Sequence, residues 1–91
     1  MSLFVMTVKD TFHLEGGRTA FVGSIETEAK NIPSCECEIV LGNEVKASIW
    51  IDGEDFLKGK QSPDRAISTS QQINLAACGV RRGGFKIRSK A

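Results

Sequence analysis

Four side chains of this sequence have the chemistry of a zinc site or of a nucleophilic centre: His13, Cys35, Cys37 and Cys78. Thiolates and imidazole are common zinc ligands, and an imidazole base can activate a neighbouring thiol. However, Cys35 and Cys37 alternate with polar residues as on a strand, whereas zinc-binding cysteine pairs usually lie on turns. We therefore predict that both are small core residues, and keep a small metal or thiol enzyme as an alternative.

Paired carboxylates are the other candidates for catalysis, at Glu36 and Glu38 and at Glu54 and Asp55. Two acids at positions i and i+2 lie on the same side of a strand, where they usually form a solvated face. The sequence contains one His and no Tyr, which leaves few groups for general acid–base catalysis. We predict that the protein is not an enzyme and uses no metal or cofactor.

The length and composition indicate a single small domain over residues 1–91. Apolar residues make up 41% of the chain and the net charge is +1, which suits one compact core. No apolar run approaches the roughly 20 residues of a membrane span, and the first residues lack the features of a secretion signal. Because the three cysteines form no disulfide pattern, we predict a cytoplasmic protein with no membrane association.

Hydrophobic residues alternate with polar ones along most of the chain, which predicts strands. The clearest unit is a hairpin closed by Gly16 and Gly17, since two glycines suit a type I′ turn. With these two residues as the loop, Phe12 faces Phe21, and Leu14–Thr19 and Glu15–Arg18 are the next pairs. We expect the two rings to share one face of the sheet.

Further strands are predicted over residues 35–41, 45–51, 66–69, 73–78 and 85–88. Val45 and Leu41 are expected on the inner face, together with Phe85 and Ile87 of the last strand. Short strands with Gly-rich turns and almost no helix predict an all-β fold. We expect a small closed or nearly closed antiparallel β-barrel of six to seven short strands, because closure protects the sheet edges.

At the hairpin the sequence resembles a known family. The matching pattern is Phe12-x-Leu14-x-Gly16-x-x-Thr19-x-x-x-Gly23-x-Ile25-Glu26. It is similar to the opening of the second domain of elongation factor Tu and its translation-GTPase relatives. Two later segments, at residues 37–40 and 73–80, look like the third and a late strand of that barrel. The resemblance covers roughly residues 8–80 and implies a stand-alone barrel of this type.

The resemblance implies the fold and no nucleotide-contacting residue. The family's Gly-Arg-Gly turn is Gly16-Gly17-Arg18 here, and Cys78 stands where the family has a basic residue before the late glycine. Near Trp50 no residue matches the acid that helps elongation factor Tu hold transfer RNA. The chain also lacks the Gly-x4-Gly-Lys-Ser/Thr phosphate loop of a GTPase.

Charge is unevenly distributed, with a local net charge of +5 over residues 80–91 and −4 over residues 1–79. A basic end on an acidic body can mark a surface that meets a polyanion. The candidate nucleic-acid contacts are Arg81, Arg82, Lys86, Arg88 and Lys90. Equally, these cations could simply keep the last strand soluble.

Trp50 is the most informative aromatic residue, since its alternation with Ile49 and Ile51 places it on the outer face. An exposed Trp can anchor a partner protein or stack on a base, although it could equally cover the irregular segment after residue 53. Trp50 and Arg18 are therefore the candidate interaction residues. The favoured prediction is a non-catalytic binding module for RNA or a ribonucleoprotein, and the alternative is a protein–protein adaptor or a homodimer.

Overall fold

The computed structural model of the protein describes residues 4–28, 30–55, 64–81 and 83–90. Seven strands form one antiparallel sheet: β1 (Phe4–His13), β2 (Thr19–Thr27), β3 (Cys35–Leu41), β4 (Glu44–Ile51), β5 (Gly53–Asp55), β6 (Arg65–Thr69) and β7 (Phe85–Ser89). The described residues also contain one short helix, α1 (Leu75–Cys78), and a 3-10 turn at Glu15–Gly17. No helix in these ranges is long and apolar enough to cross a membrane. The predicted all-β fold is confirmed.

The sheet curls into a nearly closed barrel because one chain segment reaches both of its ends. The strand order is β4-β3-β7-β1-β2-β6-β5, yet only Asp52 separates β4 from β5 in the sequence. The Asp52 N–H donates to the Ser68 oxygen at 2.8 Å, and β5 continues the pairing with β6. The corner at Asp52 therefore connects the two ends of the sheet.

The barrel core consists of the inward side chains of alternating strand residues. Its largest fully buried members are Phe4, Phe21, Phe85, Met6, Ile39, Ile49, Ile51, Ile67 and Ile87. The rings of Phe21 and Phe85 meet edge to face, with centroids 6.1 Å apart and an interplanar angle of 89°, which is a favourable arrangement for aromatic quadrupoles. Phe85 and Ile87 point inward as predicted, and β3, β6 and β7 occupy the segments expected for them.

The predicted pairing of Phe12 with Phe21 is wrong, as are the Leu14–Thr19 and Glu15–Arg18 pairs. The register of β1 and β2 shifts by one residue at Lys9, so Thr11 pairs with Phe21 and Phe12 pairs with Ala20. The loop is also longer than two residues. Phe12 is 42% exposed whereas Phe21 is fully buried, so the two rings lie on opposite faces of the sheet.

A second register shift moves Val45 away from the inner face. Ile39 pairs with Ala47 but Val40 pairs with Val45, which leaves Lys46 as the extra residue. Val45 therefore pairs with Val40 instead of Leu41. Val45 is 47% exposed, and Leu41 at the end of β3 is 37% exposed. Val45 therefore lies on the opposite face from the predicted one, since a shift of one residue exchanges the faces, and the predicted burial of Leu41 is also wrong.

The strand predicted over residues 73–78 is a single helical turn. The Asn74 side chain caps it by accepting from the Ala77 N–H at 3.2 Å. At the other end Gly79 adopts φ 76°, and the Val80 N–H donates to the Leu75 oxygen at 3.0 Å. These contacts satisfy one open N–H at the start of the helix and one open carbonyl at its end. Leu75 packs against the core from this turn.

Candidate functional site

The predicted basic strand lies directly beside an acidic strand. β7 pairs with β3, and Arg88 faces Glu38 in this ladder. The Arg88 Nε lies 3.3 Å from Glu38 Oε1, and the Lys90 ammonium donates to the Glu36 carboxylate. That hydrogen bond raises the pKa of Lys90. Two of the predicted nucleic-acid contacts are therefore balanced by carboxylates.

Two further candidate cations, Arg81 and Lys86, are not among the residues that pair with Glu36 or Glu38. Arg81 and Lys86 are exposed, and Lys86 faces Val40 of β3 and Thr7 of β1. Arg82 lies outside the described residues. The described candidate cations therefore do not form one uniform basic patch. Arg88 and Lys90 contact carboxylates, and Arg81 and Lys86 are exposed.

Trp50 lies on the outer face of β4 and its predicted orientation is confirmed. It pairs with Glu36 across β3 and β4, and 48% of the residue is exposed. Its backbone is fixed from the other side, where the Trp50 N–H donates to Gln71 Oε1 at 2.9 Å. The Trp50 oxygen accepts from Thr69 Oγ1 at 2.5 Å. The exposed indole is therefore carried by a strand that is held on both sides.

A shallow open groove of about 260 Å³ lies beside this indole. It is lined by Glu36, Ser48, Ile49, Trp50 and Gln71. The groove combines an aromatic side chain with a carboxylate and an amide. An aromatic face attracts a cation, and a carboxylate strengthens that preference, so this arrangement favours positively charged groups over anions.

Arg18, the second predicted interaction residue, is a structural tether. Its guanidinium donates to Ser68 Oγ at 2.6 Å, and the residue is half-buried. The Arg18 oxygen accepts from the Leu14 N–H at 2.8 Å and closes the β1–β2 loop. Arg18 therefore joins the hairpin loop to β6.

A polar groove at the β1–β2 loop was not anticipated from the sequence. It has a volume of about 420 Å³ and is lined by His13, Gly17, Thr19, Gln72, Ile73 and Asn74. The chain after β6 forms its second wall, a placement that only tertiary structure supplies. Neither Cys35 nor Cys37 lines this groove, and no cluster of three or more metal-ligating residues occurs among the described residues.

Cys35 and Cys37 are free thiols whose sulfur atoms lie 3.6 Å apart. Cys37 is fully buried within the core and Cys35 packs against it. Burial raises the pKa of the Cys37 thiol, and the neighbouring Cys35 raises it further. Cys37 is consequently a neutral thiol at physiological pH, in agreement with its predicted role as a core residue.

The carboxylate of Glu54 is held in a structural ion pair. It accepts from Arg65 through both oxygens, with Nε–Oε2 at 2.6 Å and Nη2–Oε1 at 2.5 Å. The Ile32 N–H also donates to it at 3.1 Å. The hydrogen bond from Arg65 lowers the pKa of Glu54. This arrangement keeps Glu54 ionised and fastens the 30–32 segment to β5 and β6.

Comparisons with known proteins leave the function to be argued from this geometry, since no family model, curated protein or solved structure matches the chain. The groove at Trp50 differs from the other features described above because it places an exposed large aromatic next to a charged side chain on paired strands.

Proposed function

We propose that this barrel is a non-catalytic binding module that recognises another protein. The recognition surface is the outer side of β7, β3 and β4, here named the Trp50 face. It consists of Glu36, Glu38, Ser48, Trp50, Arg88 and Lys90. The observation that carries the proposal is the exposed Trp50 indole within a surface of mixed charge. Trp is enriched among the residues that dominate binding energy at protein interfaces.

The charges of the Trp50 face favour a protein partner over RNA. RNA binding depends on cations that neutralise phosphates, but Arg88 and Lys90 already contact Glu38 and Glu36. A base stacked on Trp50 would bring its phosphates close to the Glu36 carboxylate, which repels them. Protein interfaces, by contrast, commonly place an aromatic anchor within a rim of mixed polar groups.

The rigidity of the surface also supports a role in recognition. Trp50, Glu36 and Arg88 all lie on paired strands of one sheet. Side chains on a fixed scaffold lose less conformational freedom on binding than side chains on a loop. A partner therefore meets a surface whose main chain is already in place.

Site-specific photo-crosslinking in the native host tests this proposal. A benzophenone amino acid replaces Ser48, which is exposed on the Trp50 face, or Ser24, which is exposed on β2 and serves as the matched control. We expect a discrete protein adduct from position 48 and not from position 24. Adding Trp50→Ala should abolish that adduct while the barrel stays folded, since Trp50 is 48% exposed.

Two outcomes would reject the proposal. One is RNA in place of protein in the position 48 adduct, and the other is an equal yield of protein adducts from positions 48 and 24. The resemblance to the second domain of elongation factor Tu remains a separate prediction, because one barrel architecture serves many unrelated functions.

A further inference from the structure

We infer that the partner inserts a lysine or arginine side chain into the groove beside Trp50, against the indole and the Glu36 carboxylate. This inference rests on the proposed function and adds the chemistry of the group that is recognised. It comes from the composition of the groove, from its size, and from the intramolecular cation that already contacts Glu36.

The composition of the groove selects a cation. Trp is the side chain whose π face attracts a cation most strongly, and Glu36 is its direct cross-strand neighbour. The Glu36 side chain is 56% exposed, so its carboxylate remains accessible to an incoming group. Gln71 also lines the groove, and its Oε1 accepts from the Trp50 N–H. An acidic or phosphorylated partner would meet repulsion at this position.

The size of the groove indicates a single side chain as its occupant. Its volume of about 260 Å³ lies below the roughly 300–1,000 Å³ of typical small-molecule pockets. Long basic side chains can lay their aliphatic stems along an apolar surface while the charged head contacts polar groups. The indole provides the apolar lining and Glu36 provides the charged end, whereas the Ile49 side chain is buried in the core.

Lys90 already occupies one side of the carboxylate. Its ammonium donates to Glu36, and its side chain is 37% exposed. An exposed ion pair contributes little to stability, so a cation from a partner can replace this contact at small cost. Lys90 is therefore an internal competitor of the partner, and its removal should strengthen binding.

Peptide titrations measure the predicted cation preference directly. The probe is acetyl-Gly-Arg-Arg-Gly-amide, and its control is the same peptide with citrulline, the neutral isostere of arginine. Because Trp50 is the only Trp in the sequence, its emission and its indole Nε1–H signal report on this groove alone. We expect a saturable shift with the arginine peptide and binding up to about fivefold weaker with the citrulline peptide, as exposed charge pairs allow.

Single substitutions test whether Glu36 and Lys90 affect binding of the arginine peptide in the inferred directions. Glu36→Gln should weaken binding of the arginine peptide about threefold to fivefold, and Lys90→Gln should strengthen it by a similar factor. Lys86→Gln is the matched control, because it removes an exposed cation from the same strand at a residue that faces Val40 and Thr7 instead of Glu36. It should leave the affinity within about twofold of wild type, since screening limits its effect.

Equal binding of the arginine and citrulline peptides would overturn the inference, as would equal effects of Lys90→Gln and Lys86→Gln. Different results decide the proposed function. A protein adduct at position 48 that depends on Trp50, together with no response to the arginine peptide, would keep the protein-binding role and reject the basic side chain. Loss of that adduct would reject the role itself.

Discussion

The substitution Gly23→Ala is expected to destabilise the barrel, because an added methyl group would clash with the main chain of the neighbouring strand. Gly23 pairs with Val8 just before the register shift of β1. A methyl group on Gly23 would lie 1.9 Å from the Thr7 oxygen and 2.9 Å from the Thr7 carbonyl carbon. Both obstacles are main-chain atoms of the neighbouring strand, so relief requires separating β1 from β2.

The expected loss of stability depends on whether the atoms that the added methyl group meets can move aside. Overpacking typically costs about 1–3 kcal/mol where side chains can adjust, and a fixed main chain places Gly23→Ala at the upper end of that range or above it. Lower entropy of the unfolded chain offsets about 0.4–1 kcal/mol. A net loss of about 2–3 kcal/mol lowers the melting temperature by about 10–20 °C for a domain of this size.

Thermal unfolding followed by far-ultraviolet circular dichroism measures this loss, with urea unfolding followed by Trp50 emission as a second probe. Gly16→Ala is the matched control, since Gly16 has φ 79° and no neighbouring atom within 4 Å of the added methyl. Its left-handed backbone alone should cost about 1–2 kcal/mol. A Gly23→Ala protein at least as stable as Gly16→Ala would refute the described approach of β1 and β2.

Two further substitutions test local interactions. Glu54→Gln should lower the free energy of unfolding by about 1.5–3 kcal/mol near pH 7, the range for hydrogen bonds to charged groups. Glu44→Gln at an exposed ion pair should change nothing measurable. Because Arg65 lowers the pKa of Glu54, this contribution is complete above the ordinary carboxyl pKa of about 4.3 and is lost as the pH falls through the lowered pKa. The difference between wild type and Glu54→Gln in urea titrations should therefore shrink as the pH falls below about 4.3. Asn74→Ala removes the cap of α1 and should cost about 1 kcal/mol, with faster amide exchange at Ala77 as the local readout.

The strands were predictable because alternation is a local signal, but their register was not. Ile49 and Ile51 are buried and Trp50 is exposed, as the period of two requires. Phe12 obeys the same alternation, yet the extra residue at Lys9 moves it to the outer face. Whether a strand takes an extra residue depends on its partner strand, which no short stretch of sequence specifies.

The helix at residues 75–78 carried a signal that the strand prediction overlooked. Ile73 and Leu75 alternate as in a strand, and both pack against the core. The flanking residues are more informative, since Asn74 and Gly79 stand at the positions of an N-cap and of a left-handed C-terminal residue. The caps therefore decide the structure of this segment, where hydrophobic alternation is compatible with either conformation.

The candidate site was predictable only in part, because a local pattern does not specify which strands become neighbours. The exposure of Trp50 follows from its own strand. The ion pairs of Arg88 with Glu38 and of Lys90 with Glu36 join residues 50 and 54 positions apart, and they depend on β7 lying beside β3. Part of the basic segment, Arg88 and Lys90, therefore lies beside carboxylates on the folded surface.

The most direct test asks whether Glu36 and Glu38 prevent Lys90 and Arg88 from binding RNA. It compares oligouridine binding by the wild-type protein and by the double variant Glu36→Gln/Glu38→Gln. The wild-type protein should show no measurable binding at about 0.15 M salt, where charges are screened beyond about 8 Å. The double variant frees Arg88 and Lys90 and should bind at low salt, with a slope of log affinity against log salt near −1.4, or about −0.7 per phosphate contact. Strong, salt-sensitive binding by the wild-type protein that the substitutions leave unchanged would contradict the proposed preference for a protein partner.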